Sequence, residues 1–194
     1  TNSGNGLKGY PWDDLTFGTD TSVTVGGETS AYVLRSIYGI NQYFNSAGLL
    51  IQISDLYGNY IHFKYLTQGS YGKVLSTIED PLGNAIQITY ASDQVLLTKG
   101  AQTVTYIKTT TNNKELLTQV WDPLGRATTY DYDLKTAGFN LNGTSLSASN
   151  PYALLTGVTH PTGAKTIYTY ETNPVTRYIS DNAVNQAYRV QQRK

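Results

Sequence analysis

Three aspartates head the same four-residue pattern in this chain: Asp55-Leu56-Tyr57-Gly58, Asp80-Pro81-Leu82-Gly83 and Asp122-Pro123-Leu124-Gly125. A fourth copy, His160-Pro161-Thr162-Gly163, has a histidine in the aspartate's place. Carboxylates and imidazoles bind cations and move protons, so these positions are the first candidates for chemistry. Aligned along a stack, the three carboxylates would form a row able to hold cations. A carboxylate beside Pro and Gly also has a simpler role, in which it accepts the N–H groups of its own turn, Pro presets φ, and Gly takes whatever sign of φ the exit needs. The turn-forming role is therefore assigned to Asp55, Gly58, Asp80, Gly83, Asp122, Gly125 and Gly163. Asp13, Asp14 and Asp20 lack the spacing of a calcium loop, which needs several oxygen ligands at set intervals. His62 lies between Ile61 and Phe63, and no Ser-His-Asp or zinc arrangement surrounds either histidine. No phosphate loop, dinucleotide fingerprint or zincin motif is present. Neither a catalytic residue, a cofactor nor a metal is expected, and the chain is read as not an enzyme.

Tyrosine is the other conspicuous residue type, with 17 copies beside 18 glycines. Tyr65, Tyr90, Tyr132 and Tyr170 all stand ten residues after the Asp or His of a turn. Stacking would gather them into a ladder, and cross-strand aromatic pairs stabilise a sheet by roughly 0.2–1 kcal/mol each. The same arrangement, left exposed among Asn and Asp, would hold a sugar ring. These four are the candidate ligand contacts.

The elements that position these residues repeat with them. Five residues before each turn Asp or His comes Leu50, Leu75, Leu117 or Leu155; two before it comes Ile53, Ile78, Val120 or Val158. Eight after it come Phe63, Ile88, Tyr130 and Tyr168. Lys73 to Tyr90 is the clearest copy, with a strand, a tight turn, and a second strand in which Ile86, Ile88 and Tyr90 alternate with polar residues. Degenerate copies run from Val33 to Phe44 around Gly39 and from Val95 to Tyr106 around Gly100. Repeats of about twenty residues that bury their apolar faces only against neighbours build stacked sheets. The expected fold is all-β: stacked antiparallel hairpins in an open, twisted strip or solenoid. Leu at −5 and Ile or Val at −2 are three apart, so either a bulge separates them or both sheet faces are partly covered.

Around this block, residues 1–30 read as an irregular Gly-rich lead-in with one strand over Thr19 to Val25. Repeats fill 31–170, interrupted by a polar surface loop at 137–151, and 171–194 is a divergent tail with room for further strands. Asn142-Gly143-Thr144 in that loop matches a glycosylation tripeptide.

Composition narrows the function. Lys+Arg and Asp+Glu both total 14, so no net field steers a polyanion, and a nucleic-acid partner is not expected. The absence of Cys removes disulfides and thiolate chemistry. No stretch approaches the ~20 apolar residues of a helical membrane span. A start at TNSGNG and a lack of Met suggest a piece of a longer protein.

The stretch Gly48 to Tyr65, GLLIQISDLYGNYIHFKY, follows the pattern G-x-L-x-x-I-x-D-x-x-G-N-x-I-x-F-x-Y and resembles the RHS repeat, also called the YD repeat. Asp131-Tyr132-Asp133 is similar to the Tyr-Asp for which that repeat is named. The resemblance covers roughly Val33 to Tyr170. It implies a scaffold piece of a large secreted or surface-associated bacterial protein, of the kind whose repeats form a shell around a C-terminal toxin domain, with teneurins using a similar shell in adhesion. The partners it implies are neighbouring repeats, and through them a toxin domain or a cell-surface glycan; the location it implies is extracellular. About six units are too few to close such a shell, and no counterpart of the family's self-cleaving region is present. An adhesion module acting through the tyrosines or the 137–151 loop is the alternative.

Gly83→Val should lower the melting temperature more than Gly143→Val, because only Gly83 occupies a turn position that constrains the backbone. Thermal melts of the two variants measure this.

Overall fold

The computed structural model describes residues 13–180 and 182–194, with Ser70 described by its backbone alone. The chain is all-β and its ladders are antiparallel. It divides into two compact units, Thr1–Ala91 with Val95–Thr103, and Ser92–Gln94 with Val104–Lys194.

The first unit is a meander. After β1 (Leu15–Thr19) and the two-residue β2 (Thr24–Val25), both of which pair with β3 (Glu28–Ser36), come β4 (Asn41–Asn45), β5 (Leu50–Ser54), β6 (Tyr60–Thr67), β7 (Lys73–Glu79), β8 (Ala85–Tyr90) and β9 (Gln94–Lys99). From β3 to β9 each strand pairs with the next in sequence. Each turn is local, so the order of these strands in the sheet is the order in the chain. The expected strand over Thr19 to Val25 is corrected. Strand structure ends at Thr19 because the Asp20 carboxylate gathers the Ser22 N–H at 2.9 Å, the Ser22 hydroxyl at 2.6 Å and the Arg35 guanidinium at 3.1 Å, folding the chain locally instead. The lead-in is thus built structure from residue 15 onward, and residues 1–12 lie outside the described residues.

In the second unit, β10 (Gln102–Thr111, in this unit from Val104 on), β11 (Lys114–Trp121), β12 (Ala127–Asn140), β13 (Ala148–Thr159) and β14 (Lys165–Tyr170) each pair with the next in sequence. β15 (Val175–Ser180) and β16 (Ala183–Ala187) form a hairpin, and β17 (Val190–Arg193) pairs with β14. The tail therefore holds three strands. The region 137–151 is not the expected irregular loop. β12 and β13 run through it in register, with Ala137 opposite Asn150 and Phe139 opposite Ala148, and only 141–147 is non-strand. Its polar composition hid a hairpin arm whose buried residue is Ala137 and whose free edge β16 covers at Phe139 and Asn140.

A bulge resolves the spacing of Leu at −5 and Ile or Val at −2. In each of the four full copies one residue at −4 (Ile51, Ser76, Thr118 or Thr156) is unpaired where the register shifts. Leu75 consequently lies opposite Tyr65 while Ile78 lies opposite Phe63. Tyr65 and Phe63 are two apart and share a face, so the bulge brings Leu75 and Ile78 onto that same face. The bulge residues are not idle: Ser76 donates to the Lys64 carbonyl at 3.0 Å and Thr118 to that of Ile107 at 3.3 Å. Ile51 is instead fully buried, as are Val33 and, at 3% exposure, Val25, where β2 packs over β5 and β6. In the second unit the buried apolar side chains are Ala137, Leu154 and Val184. Most other apolar side chains are half-buried, the state of a sheet row covered by its own neighbours.

Candidate functional site

At the turns, Asp55, Asp80 and Asp122 do the same thing. One carboxylate oxygen accepts the N–H groups two and four residues on, at 2.9–3.0 Å. The other accepts a side-chain donor four residues on: Asn59 at 2.8 Å, Asn84 at 2.8 Å, or Arg126 at 2.7 Å. The glycine N–H returns to the Asp or His carbonyl, and Gly58, Gly83, Gly125 and Gly163 have φ of 85°, 80°, 73° and 83°. This is a three-residue hairpin connection closed by a left-handed residue. The site left for a cation is small, since both oxygens are already engaged. Among the described residues no three His, Asp or Glu side chains come together as metal ligands.

Two further turns show what the turn requires. Asn45-Ser46-Ala47-Gly48, unnoticed in the sequence, is built identically: the Asn45 side-chain oxygen accepts Ala47 N–H at 3.0 Å and Leu49 N–H at 2.9 Å, with Gly48 at φ 79°. The signal was an Asx residue three before a glycine, masked because Gly48 also opens the next copy. In the His160 turn the backbone bonds persist at 2.8 Å, while the Ala164 N–H is left to the Thr162 hydroxyl at 3.5 Å. The backbone closes the turn, and the carboxylate reinforces it.

His62 stands on the opposite face from Ile61, Phe63 and Tyr65. Its Nε2 lies 2.9 Å from Gln52 Oε1, and its ring stacks on Tyr60 at 4.2 Å between centroids. Burial, with the Lys64 ammonium adding to it, holds its pKa below the usual value against the pull of Glu79. Glu79 itself is taken by an ion pair with Lys64. The imidazole is thus embedded in a polar cross-strand row, with Gln52 and Glu79 opposite it on the two flanking strands.

The four tyrosines share one geometry. Each hydroxyl donates to the carbonyl of the leucine fifteen residues earlier: Tyr65 to Leu50 at 2.7 Å, Tyr90 to Leu75 at 2.8 Å, Tyr132 to Leu117 at 2.8 Å and Tyr170 to Leu155 at 2.9 Å. All four rings are half-buried, and burial raises all four phenol pKa values. The hydroxyl proton is thereby used within the repeat, while Tyr132 and Tyr170 also line grooves of the second unit. The signal for the acceptor was present in the sequence as the constant fifteen-residue interval between Leu and Tyr, although a carbonyl has no letter of its own.

Grooves among the described residues accompany these side chains. A groove of about 160 Å³ is lined by Ile40, Ile53 and Ile61 beside the Asp55 turn. One of about 340 Å³ runs along Thr109, Leu116, Tyr130 and Leu134. One of about 360 Å³ gathers Asp133, Lys135, Tyr168, Glu171 and Tyr188. In the last, Asp133 pairs with Lys135 at 3.1 Å and the Tyr188 hydroxyl donates to the Thr136 carbonyl at 3.1 Å. Compared with protein-family models and with curated protein sequences, the chain finds no match.

Two outcomes follow from this geometry. The hydrogen bond from Asn59 or Asn84, and the Arg126 N–H at the third turn, lower the aspartate pKa values below their ordinary 3.8. A carboxylate with a depressed folded pKa stabilises fully above its unfolded value, and that stability is lost as pH falls through the folded value. Denaturant midpoints should therefore drop below about pH 4, and less steeply in Asp80→Asn, which keeps the acceptor as Asn45 does. A slope unchanged in the variant would remove Asp80 from the acid response. Second, Tyr132→Phe, which deletes one hydroxyl, should cost about 1 kcal/mol in equilibrium unfolding with the strand ladders intact; a neutral result would mean that the tie to Leu117 carries no stability.

Proposed function

We propose that this chain is a non-catalytic structural repeat module, a stretch of RHS/YD-like strip from a large secreted or surface-associated bacterial protein in which it forms part of a shell or stalk. The single observation that carries this reading is the use of the four repeat tyrosines. Their hydroxyls are spent on leucine carbonyls of their own hairpins, so the most regular side chains in the sequence hold the strip together. The turn carboxylates are likewise spent on their own backbone. A chain whose repeated tyrosine hydroxyls and turn carboxylates are hydrogen-bonded within their own repeats has the economy of a scaffold. Its partners in this reading are neighbouring repeats of the parent chain, and through them a C-terminal toxin domain that the shell would enclose.

A second reading, adhesion, has one specific observation in its favour. The 360 Å³ groove brings two carboxylates, a lysine and two tyrosines outside the repeat pattern's hydrogen bonds to one place, the mixture that recognises hydroxyl-rich ligands by stacking and polar contacts.

A glycan array separates the two. Silence across the array is the outcome expected of the scaffold. Micromolar binding that disappears in Glu171→Gln, with the melting temperature unchanged, would replace it with the adhesion reading.

A further inference from the structure

The last strand carries the register of a repeat whose sequence pattern has been lost. Across each full repeat boundary, the +10 tyrosine of one unit lies opposite the −5 residue of the next, with a bulge at −4; the +8 residue then lies opposite −2 and +7 opposite −1. Tyr65–Leu75, Phe63–Ile78 and His62–Glu79 follow this rule, and so do Tyr132–Leu155, Tyr130–Val158 and Thr129–Thr159. At β14 and β17 the pairs are Tyr170–Val190 and Tyr168–Arg193, with the register shift between Thr169 and Tyr170. Ile167 and Lys194 then exchange both backbone bonds at 3.0 Å. Val190 therefore stands at −5, Gln191 at the bulge, Arg193 at −2 and Lys194 at −1. Residues 171–189, with the β15–β16 hairpin, become an insertion at the place where the β12–β13 arm is inserted one unit earlier, between +10 and −5. The two insertions pair with each other through Phe139 and Asn185.

We infer that β17 is the opening strand of a further unit, and that its edge away from β14 is a docking strip for the turn and second strand completing that hairpin. The inference rests on the repeat reading proposed above and adds to it the place where the strip grows. In the ladders, β14 is the partner of β17, and all four residues of β17 are exposed. Because Lys194 directs both backbone groups to Ile167, those of Arg193 alternate away from β14 and face the open edge. The occupant is specified by the other units: a strand whose +6 residue lies opposite −2, as Ile86 lies opposite Ile78 and Ile61 opposite Ile53. Arg193 departs from the aliphatic at −2. Its guanidinium lies 6.0 Å over the Tyr168 ring, so its stem and charge cover the aromatic that an aliphatic would otherwise cover. A charge on an exposed edge also resists unspecific pairing, which leaves register to select the partner.

The test uses the chain's own best hairpin. The segment DPLGNAIQITY, residues 80–90, is appended directly to Lys194, so that its Asp falls at position zero; a control carries one extra Ser before it, which turns every following side chain to the other face. The in-register graft should slow exchange of the Arg193 amide by about tenfold or more and raise the melting temperature by about 2 °C or more, and the control should do neither. Equal protection in both grafts, or in neither, would make β17 a terminal cap and overturn the inference. Protection of Arg193 in the unmodified chain that grows with protein concentration would also overturn it, by naming a second copy as occupant. None of these outcomes touches the glycan array result, so the two readings fail separately.

Discussion

The bond from a tyrosine hydroxyl to the carbonyl of a leucine fifteen residues earlier joins the two strands of every full hairpin in this chain. Leu at −5 lies in the first strand, next to the bulge where the ladder is interrupted, and Tyr at +10 lies in the second strand. The phenol therefore satisfies a carbonyl at the point where regular pairing is weakest. Each such bond contributes only about 1 kcal/mol net. Its larger effect is geometric, because the same tyrosine lies opposite the −5 residue of the next unit. Leu50, Tyr65, Leu75 and Tyr90 form one such series, and Leu117, Tyr132, Leu155 and Tyr170 another. Register is passed from one hairpin to the next through side chains that belong to both.

The bulge is the partner of that device. Without the extra residue at −4, Leu at −5 and Ile at −2 would face opposite ways and the strip would have no consistent apolar side. With it, one face carries Leu, Ile, Phe and Tyr in rows while the other carries polar pairs such as Gln52 with His62 and Thr77 with Gln87. The bulge residue then becomes locally adaptable. It is a hydroxyl returned to the neighbouring strand at Ser76 and Thr118, and a buried aliphatic at Ile51, where β2 covers the second face. Few apolar side chains in either unit are fully buried. A sheet of this kind is held by contacts between successive hairpins, the additive logic of repeat proteins, more than by one central core.

The turns obey a different hierarchy. Asp, Asn, Ser and His all occur at the first position, and the two backbone bonds of the turn are made with every one of them. What does not vary is the glycine three residues later, in the left-handed region each time. At Gly39 the demand is double, since a Cβ would lie 2.7 Å from that of Leu56 as well as forcing a strained φ. The first residue adds stability, and the glycine decides whether the turn closes.

Much of this was legible in the letters. Alternation, the Asp-x-x-Gly turns and the recurrence of Leu, Ile and Tyr at fixed offsets determined an antiparallel hairpin strip and located the tyrosines at one repeat position, because strand periodicity and turn chemistry are local properties of a few residues. Three things needed the tertiary structure. The choice between a bulge and a two-sided sheet depended on which residue of the facing strand each leucine meets. The polar 137–151 segment became a strand arm because β13 and β16 supplied its hydrogen bonds, which its own composition does not encode. The tail acquired a repeat's register although only Val190 retains an apolar letter at its place, since pairing is enforced by backbone groups that all residues share. Side-chain pattern sets which face of a strand is apolar; the partner strand decides whether there is a strand, and in which register.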